Sequence, residues 1–282
     1  MQVFPDRIRW NSRTEWTEPA RFESQSTFER EISLQDDVDL ESGRIFTPTS
    51  FVIGNDFGGE DPFDLEDLPQ STILIGDLTG VDVDDGGECV HIGVGSGLQQ
   101  AGERTVFVGY RSGQESDGRR TTGVGYDAAR GAASAEGTLI GYEAGQDAVG
   151  EGNVAVGCRA GRDYEGEYGA VLGHEAAQEA EGERIVAVGA QAGGDADDDR
   201  SVHVGYWSGL SSEGERSVFV GYQAGRDNTG DGVIGLGYEA GRENDDDNVL
   251  LLTDNEGTLR GRMDLESGDL EIAGELMENT EL

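Results

Sequence analysis

The sequence predicts an all-β fold, a parallel β-roll or β-solenoid built from 16-residue coils. Three observations predict it. Glycine recurs at 93, 109, 125, 141, 157, 173, 189, 205, 221 and 237, with no insertion between repeats. The residue before each of these glycines is Val, Ile or Leu without exception. Counting each glycine as position 0, position +3 is always Ala or Ser, and +4 is Gly except at Ala129 and Ala177. A fixed period of this kind marks one small unit that buries its apolar side only by stacking on its neighbours.

Each part of the unit has a physical reading. Positions −3 and −1 share one face of a short strand, because strand side chains alternate. Position −3 is Val or Ile in most coils, the others being Thr122, Thr138 and Ala170. Glycine at 0 allows a backbone turn that a side chain would block. The small pair at +3 and +4 lets a second segment pass close to the first. A glycine at +9, as in Gly102, Gly150 and Gly214, turns the chain into the next coil. Coils stack at about 4.8 Å, so ten of them give a rod on the order of 48 Å.

Position −2 points away from the −3/−1 face. It holds His91, Phe107, Gly123, Leu139, Ala155, Val171, Ala187, His203, Phe219 and Gly235, none of them acidic or an arginine. Both strand faces are therefore expected to be covered, while a thin coil has a single interior. The simplest second cover is another copy of the chain, which predicts a homo-oligomer around the rod axis. On this expectation Phe219→Glu dissociates the assembly.

Four segments follow along the chain. Residues 1–50 lack the period; Phe28, Ile32, Leu34, Val38 and Leu40 share one parity and read as a strand-rich shaft or attachment segment. Residues 51–89 read as irregular first coils, with an insertion loop from Asp61 to Pro69. Residues 90–247 form the ten-coil roll. Residues 248–282 read as a cap of β-hairpins, with turns at Asn255-Glu256-Gly257 and Ser267-Gly268.

Charge narrows the partners. The chain has 58 Asp+Glu against 20 Lys+Arg, a net −38, and every basic residue is Arg. Such a chain repels phosphate, so neither nucleic acid nor an anionic membrane surface is an expected partner. No apolar run is long enough for a membrane-spanning helix, and Met1 to Trp10 lacks the apolar stretch of a secretory signal. Two cysteines make no disulfide framework. At molar salt the Debye length falls to about 3 Å and the self-repulsion is screened, which points to a high-salt habitat.

The unit Ser217-Val218-Phe219-Val220-Gly221-Tyr222-Gln223-Ala224-Gly225 resembles the head repeat of trimeric autotransporter adhesins. It is also similar to the repeats of viral tail fibres that share their left-handed parallel β-roll. The resemblance covers residues 90–247 and implies a homotrimer. The adhesin coil is usually shorter, and the secretion signal and membrane anchor of that family are not recognised here. The balance favours a virion protein assembled in the host cytoplasm.

Few residues point to chemistry. Gly93-Val94-Gly95 and Gly235-Leu236-Gly237 fall on the repeat register, without a following helix, and read as coil corners. His91 and His203 lie seven coils apart, which leaves interface histidines, or a symmetric cluster in a trimer, as their reading. The clusters Asp195/Asp197/Asp198/Asp199, Asp245/Asp246/Asp247 and Asp82/Asp84/Asp85 lack calcium-loop spacing and read as solvated surface. No cofactor, metal or catalytic set is expected.

The aromatic row is the main candidate. Position +1 is Tyr at Tyr110, Tyr126, Tyr142, Tyr206, Tyr222 and Tyr238. Tyrosine offers an apolar body and a polar tip, so the row either packs on itself or stacks on sugar rings. Trp207, beside Tyr206 at +2, is the expected contact point. The full expectation is a trimeric virion fibre or spike of a virus of halophilic archaea. It would mount on other virion proteins and attach to the host's surface-layer glycoprotein or its glycans. A capsid turret or decoration protein and a cellular trimeric adhesin are the alternatives. A glycan-cleaving spike would need a paired-carboxylate cleft that no repeat singles out.

Overall fold

Each unit makes one turn and hydrogen-bonds to the units on either side. The computed structural model describes residues 88–272 continuously, together with 72–76 and 78–79. It also gives the backbone strands Gln2–Phe4, Arg9–Trp10, Ala20–Phe22, Thr27–Phe28, Ser50–Ile53 and Glu275–Met277. The expected insertion loop, the 1–50 positions beyond those strands, and the Asp82/Asp84/Asp85 cluster lie outside the described residues. The chain divides into two units, Met1–Phe46 and Thr47–Leu282. In the first, Gln2–Phe4 pairs in parallel with Ala20–Phe22, and Arg9–Trp10 with Thr27–Phe28.

The second unit carries a 16-stranded sheet and, among the described residues, no helix. Its strands run in parallel register from Ser50–Ile53 through Thr72–Ile75 and every repeat to Val249–Thr253. The repeats pair sixteen residues apart, as in Val106↔Thr122 and Phe107↔Gly123. The sheet then turns antiparallel through Leu259–Asp264, Leu270–Ile272 and Glu275–Met277. Asp254 and Asp264 form the first two of the intervening turns, each accepting backbone N–H bonds on its carboxylate.

The interior corrects the expected assignment of faces. Position −2 is the core: Phe107, Leu139, Phe219, His91 and His203 are fully buried within one chain. The outward face is −3/−1, where Ile140, Val154, Leu172, Val220 and Leu236 are each more than a third exposed. Phe219 is therefore a folding residue, and Phe219→Glu unfolds its coil before it can act on an interface. The histidines, read as interface groups, are interior groups as well.

Packing across the coil explains the small residues. A Cβ on Gly113, Gly209 or Gly225 would overlap the ring of Phe107, His203 or Phe219 from the same coil. Where −2 shrinks to Gly123, the +4 residue grows to Ala129. Large rings also stack on glycine in the next coil, Phe107 on Gly123 and Phe219 on Gly235. At position 0, a Cβ on Gly109 would overlap the Gly125 carbonyl, with φ at 138°.

The corners use left-handed backbone at +2, +4, +6 and +11. In one coil these are Arg111 (φ 50°), Gly113 (67°), Glu115 (59°) and Arg120 (54°). For a non-glycine residue this conformation costs roughly 1 kcal/mol or more. Bonds to the preceding coil offset it: the N–H groups of Arg111, Glu115 and Arg120 donate to Val94 (2.9 Å), Leu98 (2.8 Å) and Glu103 (2.8 Å).

Candidate functional site

The tyrosines of position +1 leave the strand just after the glycine turn, beside the outward aliphatic face. They form two ladders. Tyr110, Tyr126 and Tyr142 stack with centroids 5.1 and 5.2 Å apart. Tyr206, Tyr222 and Tyr238 stack at 5.6 and 5.0 Å. All six are exposed at their edges, between 36% and 46%. Stacking at one coil spacing follows from the register and covers the ring faces inside each ladder. Tyr126 and Tyr222 have a ring on both sides, so neither offers a face to a ligand.

The ladder ends differ. The Arg111 guanidinium lies 5.0 Å from the ring of Tyr110 and 5.5 Å from that of Tyr126, drawn toward the next coil by Asp127, and Tyr238 lies against the turn at Gly257. The two ladders are separated by a break in the row, where position +1 is Cys158, His174 and Ala190, and at the second ladder's inner end Trp207 stands against Tyr206. Cys158 is a free, partly exposed thiol, and His174 is 57% exposed at its side chain.

A hydrogen-bonded wall runs beside the break at position +2. Tyr142 bonds to Glu143, an interaction that holds the phenol above its usual pKa. Arg159 donates to Glu143 (2.9 Å) and to Glu175 (3.1 Å). Gln191 donates to Glu175 at 2.8 Å and accepts the indole N–H of Trp207. Burial alone would raise the Glu143 and Glu175 carboxyls; their bonds to Tyr142, Arg159 and Gln191 outweigh it and leave both below the usual range.

Trp207 is the last member of this wall. It is half-buried, its centroid 4.6 Å from Tyr206 and tilted by 38°, with the Arg226 guanidinium 5.5 Å over the indole. The aromatic row was legible in the sequence. Glu143, Arg159, Glu175 and Gln191 were not singled out, although reading position +2 down the repeat shows alternating charge that ends in an amide and an indole.

Elsewhere the structure holds two buried histidines. His91 Nε2 meets Thr105 Oγ1 at 3.1 Å, and burial depresses its pKa to about 4. His203 Nε2 lies 3.0 Å from Asp198 Oδ2, both side chains fully buried. Asp198 thus leaves the acidic surface cluster in which the sequence placed it. Among the described residues no group of three or more His, Cys, Asp or Glu is arranged to hold a metal ion.

No family model matches this chain, and neither does any curated protein or solved structure.

Proposed function

We propose that the chain is a self-associating fibre or spike, a homotrimer that holds a recognition surface away from the particle bearing it. The observation that carries this reading is the uncharged outward face of the roll. From Ile73 to Leu252, positions −3 and −1 hold only Val, Ile, Leu, Thr and Ala, in a chain of net charge −38. Covering a half-exposed aliphatic side chain contributes about 1 kcal/mol at some 25 cal/mol per Å². A second copy fits this face well, because two such faces meet without bringing carboxylates together. The count of three rests on the resemblance to adhesin and tail-fibre repeats.

The same resemblance and the lysine-free acidic composition support a virion fibre or spike of a virus of halophilic archaea. It would be carried by other virion proteins and would attach to the host's surface-layer glycoprotein or glycan. Three copies engaging together raise avidity by orders of magnitude over a single weak contact. The test is twofold, on the full chain at molar salt. Sedimentation equilibrium is expected to give the mass of three chains. Val204→Glu with Val220→Glu is expected to give one chain with an unchanged β spectrum. Labelled protein is expected to bind some haloarchaeal strains saturably, in competition with their isolated surface layer. A single-chain mass for the native protein overturns the assembly. Binding to no strain overturns attachment in favour of a decoration role.

A further inference from the structure

Resting on the self-association reading above, we infer that neighbouring copies lie parallel and level, with the charged row at +11 of one chain seated against the tyrosine row at +1 of the next. The two rows flank the aliphatic face on opposite edges. Position +11 comes two residues before the outward strand and +1 comes two residues after it, as Arg200 and Tyr206 do around Val202–Val204. Such a pair is separated by up to about 20 Å of extended chain. Both rows are exposed. The side chains of Arg104, Arg120, Arg184, Arg200 and Arg216 are each more than half exposed, and the six tyrosines are 36–46% exposed. The occupants of the two rows nevertheless change together. Arg104, Arg120, Glu136, Arg200 and Arg216 precede strands that lead to Tyr110, Tyr126, Tyr142, Tyr206 and Tyr222 in turn. Where +11 becomes Gly152 or Tyr168, +1 becomes Cys158 or His174. Glu88 with Val94, Arg184 with Ala190 and Gly232 with Tyr238 depart from the pattern. A strand holds the two rows apart within one chain, so contact between them requires a second copy.

Direction follows from the same rows. Two copies packed face to face and parallel place the +11 edge of one beside the +1 edge of the other, at equal heights. Antiparallel copies set +11 beside +11 and tyrosine beside tyrosine. A phenol oxygen accepts from a guanidinium, and a ring edge packs on the aliphatic stem of a long charged side chain. The arginines have donors to spare. Arg184, Arg200 and Arg216 approach Glu183, Glu215 and Asp231 only at 3.5–3.6 Å, which is longer than a good hydrogen bond. Exposed ion pairs of this kind hold weakly. In three successive coils the guanidiniums also repel one another along the row, and acceptors supplied by a partner relieve that repulsion. Position +2 adds no competing charge at this level, since it is Gln191, Trp207 and Gln223 in the strands these three arginines precede. From Arg111 to Glu175 the same position is charged throughout.

The repeat itself supplies the test. The full chain is used at molar salt with Cys158→Ala, the residue already found at +1 in Ala190, which leaves the buried Cys89 as the remaining native thiol. Arg200→Cys with Tyr206→Cys is treated with a short bismaleimide and separated under denaturing conditions. Covalently joined chains are expected from this double variant and from neither single one. None are expected from Arg200→Cys with Tyr110→Cys, whose sites differ in height by six coils, about 29 Å. Arg200→Gly with Arg216→Gly installs the residue native at Gly152. It is expected to keep the β spectrum and to dissociate at a protein concentration at least tenfold higher. Arg119→Gly, on the acidic face, is expected to leave association unchanged. An oligomer that yields no joined chains at matched height, or as many at mismatched height, overturns the seam and leaves self-association standing. Joined chains from either single cysteine variant set like edges together and overturn it too, as does unchanged association of the double glycine variant. A single-chain mass for the native protein in sedimentation overturns both readings.

Discussion

Two exposed faces of the same coil carry opposite chemistry. Positions −3 and −1 are aliphatic or small from Ile73 to Leu252, while +8 and +10 are carboxylates from Glu165 to Asp247, Thr229 excepted. Both repeat at the coil spacing, so each residue sits about 4.8 Å from its like. On the first face that repetition stacks methyl groups; on the second it stacks charge. Strand pairing shows the consequence. Among the described residues, positions +8 to +10 form a ladder only between Ala133–Ala135 and Val149–Glu151, where the rows hold Ala, Ser, Val and Gly before the first Glu. Farther along, Asp199, Asp231 and Asp247 instead accept backbone N–H groups from Glu183, Glu215 and Asp231 of the preceding coil. Charge is concentrated on one face and exposed aliphatic side chains on the other.

The sharpest break in that comparison lies one residue inside the aliphatic face. Phe219 is fully buried and its neighbour Val220 is 39% exposed. Phe219→Glu removes a core ring, a loss of about 3–5 kcal/mol for a comparable truncation, and adds a buried carboxylate that costs several more. Its expected outcome is loss of the cooperative thermal transition, read by circular dichroism. Val220→Glu is expected to keep that transition and lose only association. If Phe219→Glu gives folded single chains, the interior has been assigned to the wrong face.

The coil period, the strand at −3 to −1 and the glycine corners were legible because each depends on residue type at a fixed position. Which strand face lies inside was not, since Phe107 and Val108 are both apolar and alternation alone does not rank them. The deciding information lay across the coil, in the pairing of Phe107 with Gly113 and of Gly123 with Ala129. The left-handed corners at +2, +6 and +11 were hidden too. Arg111, Glu115 and Trp207 are not residues that favour that conformation; inter-coil hydrogen bonds impose it. In the candidate site, the tyrosine rows were legible from spacing. Their covered faces depend on ring orientation, and the tie from Trp207 to Gln191 joins residues sixteen positions apart.

A smaller break separates a polar pair placed inside from the carboxylates of the acidic face. Asp198 occupies a +9 position where most coils carry glycine, and its partner His203 occupies −2. His203→Leu leaves the buried Asp198 carboxyl without its hydrogen-bond partner and is expected to destabilise by about 1–3 kcal/mol. Adding Asp198→Ser reproduces the pair Ser134 and Leu139 found four coils earlier, and the double variant is expected to recover most of the loss. Denaturant titration of the three proteins checks this; a double variant no better than the single one rejects the pairing.

His91 gives a pH-dependent version of the same contrast. Burial holds its folded-state pKa at about 4, below the 6.5 of an exposed histidine. Between those values the unfolded chain binds the proton and the folded one does not. Its contribution is therefore fully present above pH 6.5 and is lost as pH falls toward 4, by up to about 3 kcal/mol. His91→Leu, with the residue that coil 141 carries at this position, is expected to flatten melting temperature against pH over that window. An unchanged slope would place the acid sensitivity in other groups.

The gentlest change falls on the acidic face itself. Glu165, Glu181, Asp197 and Glu213 are exposed and occupy successive coils at +8. Like charges directly opposite on neighbouring strands destabilise by a few tenths of a kcal/mol per pair. Screening removes that repulsion when the Debye length shrinks from about 10 Å at 0.1 M salt to about 3 Å at 1 M. Replacing the four with Gln or Asn is expected to stabilise the roll by about 1 kcal/mol in dilute buffer and by nothing measurable at molar salt. The same substitutions on a face whose charges were already paired would leave both conditions unchanged. The difference between the two melting temperatures therefore reads how strongly repulsion along that one row couples stability to salt.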